Sequence, residues 1–100
     1  GLVGSEMCIR DRHYTRYLAN DLGPHGINVN CIAPGTITTG RIVASVMPGS
    51  ADANRDRTER VAVRRLGTVE DCAKVVEFLT TDLSDYVTGQ CISIDGGMMR

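Results

Sequence analysis

Two short β-rich runs are the only strand material the sequence offers. The first is Ile27-Asn28-Val29-Asn30-Cys31-Ile32, closed by Ala33-Pro34-Gly35. The second is Gln90-Cys91-Ile92-Ser93-Ile94-Asp95, closed by Gly96-Gly97. Each is rich in β-branched residues and bounded by turn formers, which is how a strand reads. Helical patterning precedes the first run and fills much of the stretch between the two. The order is helix, strand, long crossover with helix, strand. Such a βαβ-type order predicts a parallel pair joined by a right-handed crossover. Two parallel strands cannot close an α/β sheet, because they leave two open edges and a half-covered core. The expected fold class is therefore α/β and an incomplete domain.

The helices have their own signatures. Tyr14, Tyr17, Leu18 and Leu22 fall on one face from His13 onward. Gly23-Pro24-His25-Gly26 ends that helix, since glycine suits a left-handed cap and proline cannot continue the hydrogen bonding. Thr68-Val69-Glu70-Asp71 resembles a capping box with Asp at the third position. The helix behind it puts Val69, Cys72, Ala73, Val76 and Leu79 on one stripe. Thr36 to Gly40 reads as loop, Ile42, Val43, Val46 and Met47 as a short amphipathic stretch, and Asp52 to Arg65 as a solvated helical face of mixed charge. A phosphate-binding patch there is the weaker reading, because the acids largely cancel the arginines. Asn28 and Asn30 are unusual in a strand and are expected to tie loops together at its end. Asp95, before two glycines, is expected to cap a turn.

Composition narrows the function. The chain has 100 residues, a net charge of -1, 42% hydrophobic and 23% charged residues, values of an ordered chain of one domain at most. That charge gives no electrostatic footprint for nucleic acid, and no apolar run reaches the roughly 20 residues that span a bilayer. The four cysteines, at 8, 31, 72 and 91, form no C-x-x-C and no zinc spacing. They are expected to be buried, reduced structural thiols, which points to the cytoplasm. His13 and His25 have no metal-ligand spacing, so no metal site is expected. The missing initiator Met and the lack of periodicity over residues 1–12 suggest a truncated chain.

Three stretches, taken together and in this order, resemble the C-terminal part of the short-chain dehydrogenase/reductase family. The first runs from Arg16-Tyr17-Leu18-Ala19 through Gly26-Ile27-Asn28-Val29-Asn30 to Pro34-Gly35-Thr36-Ile37-Thr38-Thr39. The second is Arg64-Arg65-Leu66-Gly67-Thr68-Val69-Glu70-Asp71, and the third Thr88-Gly89-Gln90 followed by Ile94-Asp95-Gly96-Gly97. The resemblance covers residues 13–100. It implies a Rossmann-type three-layer parallel sheet of which these would be the sixth and seventh strands with flanking helices. It implies an NAD or NADP cofactor whose nicotinamide end meets Pro34, Gly35, Thr36, Ile37 and Thr39. Ile37 backbone atoms would meet the carboxamide, and Gly35 would let the backbone approach the ligand. Residues 40–62 match the variable substrate lid. There Val43, Val46 and Met47 either line an apolar pocket or form the buried side of a short helix. The 68–80 helix and the 90–95 strand match the surface through which family members form dimers or tetramers.

The family's catalytic pair is Tyr-x-x-x-Lys, in which the lysine sits one helical turn from the tyrosine and lowers its pKa. These 100 residues lack it. Four after Tyr14, Tyr17 and Tyr86 stand Leu18, Asp21 and Gln90, and four before Lys74, the one lysine, stands Glu70. No catalytic residue is therefore assigned. The family spacing would put the pair near Gly4 and Cys8, where the resemblance has broken off. The run Gly-Ser-Glu-Met-Cys-Ile-Arg-Asp-Arg resembles translated sequencing-adapter read-through, so residues 1–12 read as a non-native or disordered leader.

Two functions compete. In one the chain is a fragment of an NAD(P)-dependent oxidoreductase acting on a small carbonyl or alcohol substrate, with a 3-oxoacyl-carrier-protein-reductase-like activity as first choice and the fragment itself inactive. In the other it is a non-catalytic polypeptide that binds a partner or itself through its open strand edges or its assembly helix. The exposed edge of the 27–32 strand also predicts self-association.

Overall fold

The structure, a computed structural model, describes residues 2–38 and 51–98, with side chains over 9–38 and 55–98. The elements are α1 (Leu2–Leu22), β1 (Cys31–Pro34), β2 (Ile37–Thr38), α2 (Ala51–Glu59), β3 (Gly67–Thr68), α3 (Val69–Leu79) and β4 (Cys91–Ile94). Single 3-10 turns occupy Gly23–His25 and Asp82–Ser84. β1 pairs with β4, and β2 pairs with β3 in parallel. The chain divides into two units, one of Gly1–Ala33 with Val76–Ser93, the other of Pro34–Val75 with Ile94–Arg100.

In the first unit α1 begins at Leu2, not at the His13 onset expected from periodicity. Residues 2–12 are helical. They contain no proline, and extending an existing helix adds one hydrogen bond per residue fixed. The face that α1 buries also differs. Thr15 and Ala19 are buried, whereas Tyr14 and Tyr17 are 65% and 68% exposed. The small residues sit inside because Gly89 approaches there: a Cβ on Gly89 would lie 3.4 Å from Ala19 Cβ. Gly26, at φ +76°, closes the 3-10 turn by donating its N–H to the Gly23 carbonyl at 2.9 Å.

β1 starts at Cys31, later than the 27–32 run predicted. Side chains take over the ladder before that point. Thr88 Oγ1 accepts the Val29 N–H at 2.9 Å, Asn28 Nδ2 donates to the Asp85 carbonyl at 3.1 Å, and Asn30 Nδ2 to the Val87 carbonyl at 2.9 Å. Asn30 Oδ1 in turn accepts the Gln90 N–H at 3.1 Å. Both asparagines tie the strand end to the 84–90 loop, as their position in the sequence implied. From Cys31 the backbone ladder proper begins, with its N–H donating to the Gln90 carbonyl at 2.8 Å. The cysteines are less enclosed than expected: Cys31, Cys72 and Cys91 are free and half-buried.

In the second unit the core is small. Val61 is 3% exposed and packs against the Gly96-Gly97 turn. α2 carries the mixed charges predicted for a solvated face, and its Asp56 pairs with the exposed Arg60 just past its end at 3.3 Å. It stops at Glu59, short of the Arg65 limit read from the charge run. Arg64, at φ +58°, turns the chain and donates from Nη1 to the Val61 carbonyl at 3.0 Å. β2 and β3 were not foreseen, because two-residue strands carry no periodicity.

Candidate functional site

The residues that follow β1 belong to the second unit. Pro34 is exposed. The Gly35 N–H donates to the Ile94 carbonyl at 2.9 Å. A Cβ on Gly35 would lie 2.7 Å from Asp95 Cβ and 3.0 Å from its Cα. The close neighbour that requires glycine here is thus Asp95. Asp95 itself caps the turn behind it, with Oδ1 accepting the Gly97 N–H at 2.9 Å.

Thr36 and Ile37 are fixed from the other side by β3. The Thr36 carbonyl accepts the Gly67 N–H at 3.1 Å, and its hydroxyl lies 3.9 Å from Met98 Sδ. Ile37 is buried, with its Cδ1 tight over the space where Gly67 lacks a Cβ. The parallel register pairs Ile37 with Gly67 and Thr38 with Thr68. In a parallel ladder a residue bonds through the two flanking residues of its partner. Gly67 therefore uses Thr36 and Thr38, and the Ile37 N–H and C=O project to the opposite edge of β2. An adjacent donor and acceptor on one residue match a primary carboxamide, which presents the complementary pair. Thr39, Val43, Val46 and Met47 lie outside the described residues.

β3 is held by the start of α3. Thr68 Oγ1 accepts the Asp71 N–H at 3.1 Å, and Asp71 Oδ2 accepts the Thr68 N–H at 2.8 Å, the reciprocal capping expected from the sequence. Arg65 adds a forked contact to Asp71 at 2.7 and 3.1 Å. The Arg65 guanidinium, and then the Thr68 N–H, hold the Asp71 carboxyl well below the usual carboxylate range. A depressed carboxyl contributes stability above its unfolded value, near pH ~4, and loses that contribution as pH falls toward the folded value. The gap in urea midpoint between the parent chain and Asp71→Asn is expected to shrink on acidification below pH ~4. A gap that stays constant down the acid range contradicts this role.

Elsewhere, His13 and His25 are exposed, and no described group of three His, Cys, Asp or Glu side chains could hold a metal ion. No helix among the described residues is long and apolar enough to cross a membrane. In the first unit Arg12, His13 and Arg16 line a cavity of about 480 Å³ together with Gln90 and Cys91. Sequence reading gave this cavity no role. Its one legible signal is the basic spacing of Arg12 and Arg16 along α1.

Comparison with known proteins fits this arrangement. The family described as Enoyl-(Acyl carrier protein) reductase matches residues 12–99. Cyclohexanol dehydrogenase of Rhodococcus sp. (strain TK6) is 55% identical over 85 residues, covering 85% of this chain and 30% of that protein. Human dehydrogenase/reductase SDR family member 4 is 37% identical over 83% of this chain and 29% of its own length. Among solved structures, YwfH, an NADPH dependent reductase involved in bacilysin biosynthesis, superposes with a TM-score of 0.82 at 34% identity, over 96% of this chain and 39% of that one. A 3-oxoacyl-[acyl-carrier protein] reductase from Brucella melitensis gives 0.79 at 37% identity, over 91% and 33%. The chain thus spans about a third of the length of the relatives it matches. It belongs to the short-chain dehydrogenase/reductase family, as an α/β part of that family's Rossmann fold.

Proposed function

We propose that this chain is part of an NAD(P)-dependent oxidoreductase that transfers hydride between nicotinamide and a carbonyl or alcohol carbon. The edge of β2 at Ile37, which no other described strand pairs with, carries the proposal, since its N–H and C=O suit the nicotinamide carboxamide without a charged partner. Pro34, Gly35, Thr36 and Thr39 belong to the same cofactor contact. The bound cofactor supplies or accepts the hydride, and the contribution of this segment is to orient it. Relatives support either nucleotide: one is named an NADPH dependent reductase, and another Brucella structure is described with bound NAD. Val43, Val46 and Met47 would belong to the substrate lid over residues 40–62. The substrate class takes in both a 3-oxoacyl-carrier-protein thioester, our first choice, and a cyclic alcohol like that in the name of the Rhodococcus relative.

The whole protein would be cytoplasmic and would assemble as a dimer or tetramer through α3 and β4. α3 leaves Val69, Val76 and Phe78 exposed, which supports a covered face. Residues 1–11 fall outside the family match, and we read the 1–12 segment as foreign to the domain. The second reading, a non-catalytic polypeptide that binds a partner or itself, draws on the exposed Tyr14, Tyr17, Leu83 and Tyr86.

Sequencing the natural locus upstream of the His13 codon separates the two. Tyr-x-x-x-Lys in the α1 frame, with a glycine-rich turn further upstream, is the expected result. A reading frame that opens directly into residues 1–12 after a start codon overturns the oxidoreductase and leaves the binding module.

A further inference from the structure

β1 and β4 begin on cysteines, and the register sets those cysteines side by side. The Cys31 N–H donates to the Gln90 carbonyl at 2.8 Å, and the Gly35 N–H to the Ile94 carbonyl at 2.9 Å. Both bonds advance in step along the two strands, so the strands run in parallel and Cys31 stands abreast of Cys91. Abreast residues share a face of the sheet. Adjacent strands lie about 4.8 Å apart, within the roughly 4.4–6.8 Å Cα separation a disulfide spans. Both cysteines are free and half-buried, and neither has a part in the cofactor edge.

We propose that Cys31 and Cys91 are a redox modification site that closes to a reversible intrachain disulfide. The oxidant is a low-molecular-weight disulfide bearing carboxylates. Cys91 faces the cavity of about 480 Å³, whose Arg12, His13 and Arg16 suit an anionic reagent of that class. The Cys91 thiolate attacks one sulfur of the reagent, breaks its S–S bond and expels one thiolate. The Cys31 sulfur then attacks Cys91 in the mixed disulfide and expels the second thiolate. The two protons lost by the cysteines go to the two released thiolates. Two protein thiols are oxidised, and one reagent disulfide is reduced to two thiols. Burial, with Cys91 and Asp11 nearby, pushes the Cys31 thiol up, which suits the resolving position better than the attacking one.

Tryptic mapping tests the pairing, because the four cysteines fall in four different peptides: 1–10, 17–41, 66–74 and 75–100. The 100-residue chain is treated with glutathione disulfide, alkylated and digested without reduction. The expected result is the loss of two of the four thiols and a linked 17–41/75–100 pair that dithiothreitol releases. Cys31→Ser and Cys91→Ser each abolish that pair, Cys72→Ser leaves it, and the chain treated in concentrated urea gives a mixture of pairings. Cys31→Ser also traps the reagent on the 75–100 peptide. Four intact thiols, the urea-like mixture in the native chain, or links only between chains overturn the proposal.

Discussion

Gly96→Ala is expected to destabilise the second unit by about 3 kcal/mol, the sum of a backbone and a packing cost. Gly96 sits at φ +61°, where an L side chain costs roughly 1–2 kcal/mol. Its added Cβ would also lie 2.7 Å from Val61 Cγ1 and 2.8 Å from Val63 Cγ2. Val61 is the most buried apolar side chain described, and the Val63 N–H donates to the Gly96 carbonyl at 3.1 Å, so neither neighbour yields cheaply. Overpacking of this kind costs about 1–3 kcal/mol. Two other glycines separate the contributions. Gly26 has φ +76° and nothing within 4 Å, so Gly26→Ala reads the backbone cost alone. Gly23 has neither a positive φ nor a near neighbour, and Gly23→Ala is expected within about 1 kcal/mol of the parent. Urea midpoints should fall in the order Gly23→Ala, Gly26→Ala, Gly96→Ala. Equal losses at Gly26 and Gly96 contradict the packing of the turn on Val61 and Val63.

What the sequence made legible was chemistry carried by single side chains. Asn28 and Asn30 had to find partners, and the loop carbonyls supplied them. Thr68 and Asp71 stand at the spacing that only a helix start uses, and they cap it. Asp95 before two glycines had the local geometry of a capped turn. Features that depend on a distant neighbour were not legible. The tyrosines of α1 outrank Thr15 and Ala19 in apolar area, yet the small residues lie inside because Gly89 comes close from elsewhere in the chain. β2 and β3 owe their pairing to Gly67 making room for Ile37, a fit invisible in either dipeptide alone. Gly35 is needed by Asp95, far along the sequence. The 27–30 run has strand composition, but Thr88 withdraws the Val29 N–H from the ladder. The cofactor contact proposed at Ile37 came from family resemblance, while the direction in which its N–H and C=O project follows only from the β2–β3 register.

The 100-residue chain is expected to show no measurable reduction of cyclohexanone or a 3-oxoacyl thioester with NADH or NADPH. Carbonyl reduction needs a proton delivered to the oxygen as hydride reaches the carbon, and a positioned acid contributes typically ~10²–10⁴-fold. In the family pattern, tyrosine fills that role with a cation beside it that lowers its pKa. Tyr14 and Tyr17 on α1 are 65% and 68% exposed, and Tyr86 is fully exposed. None has a lysine one turn away, and Lys74, the sole lysine, is exposed on α3. The carboxamide contact proposed at Ile37 would orient one end of a cofactor and move no proton. Loss of nicotinamide absorbance is the readout. Turnover that persists through purification and disappears in Ile37→Pro, which removes the N–H from the open edge, would mean that these residues contain an acid the tyrosine–lysine spacing does not describe. A flat trace, beside activity of a longer protein encoded at the natural locus, would support the proposed division: cofactor orientation within this segment, proton delivery outside it.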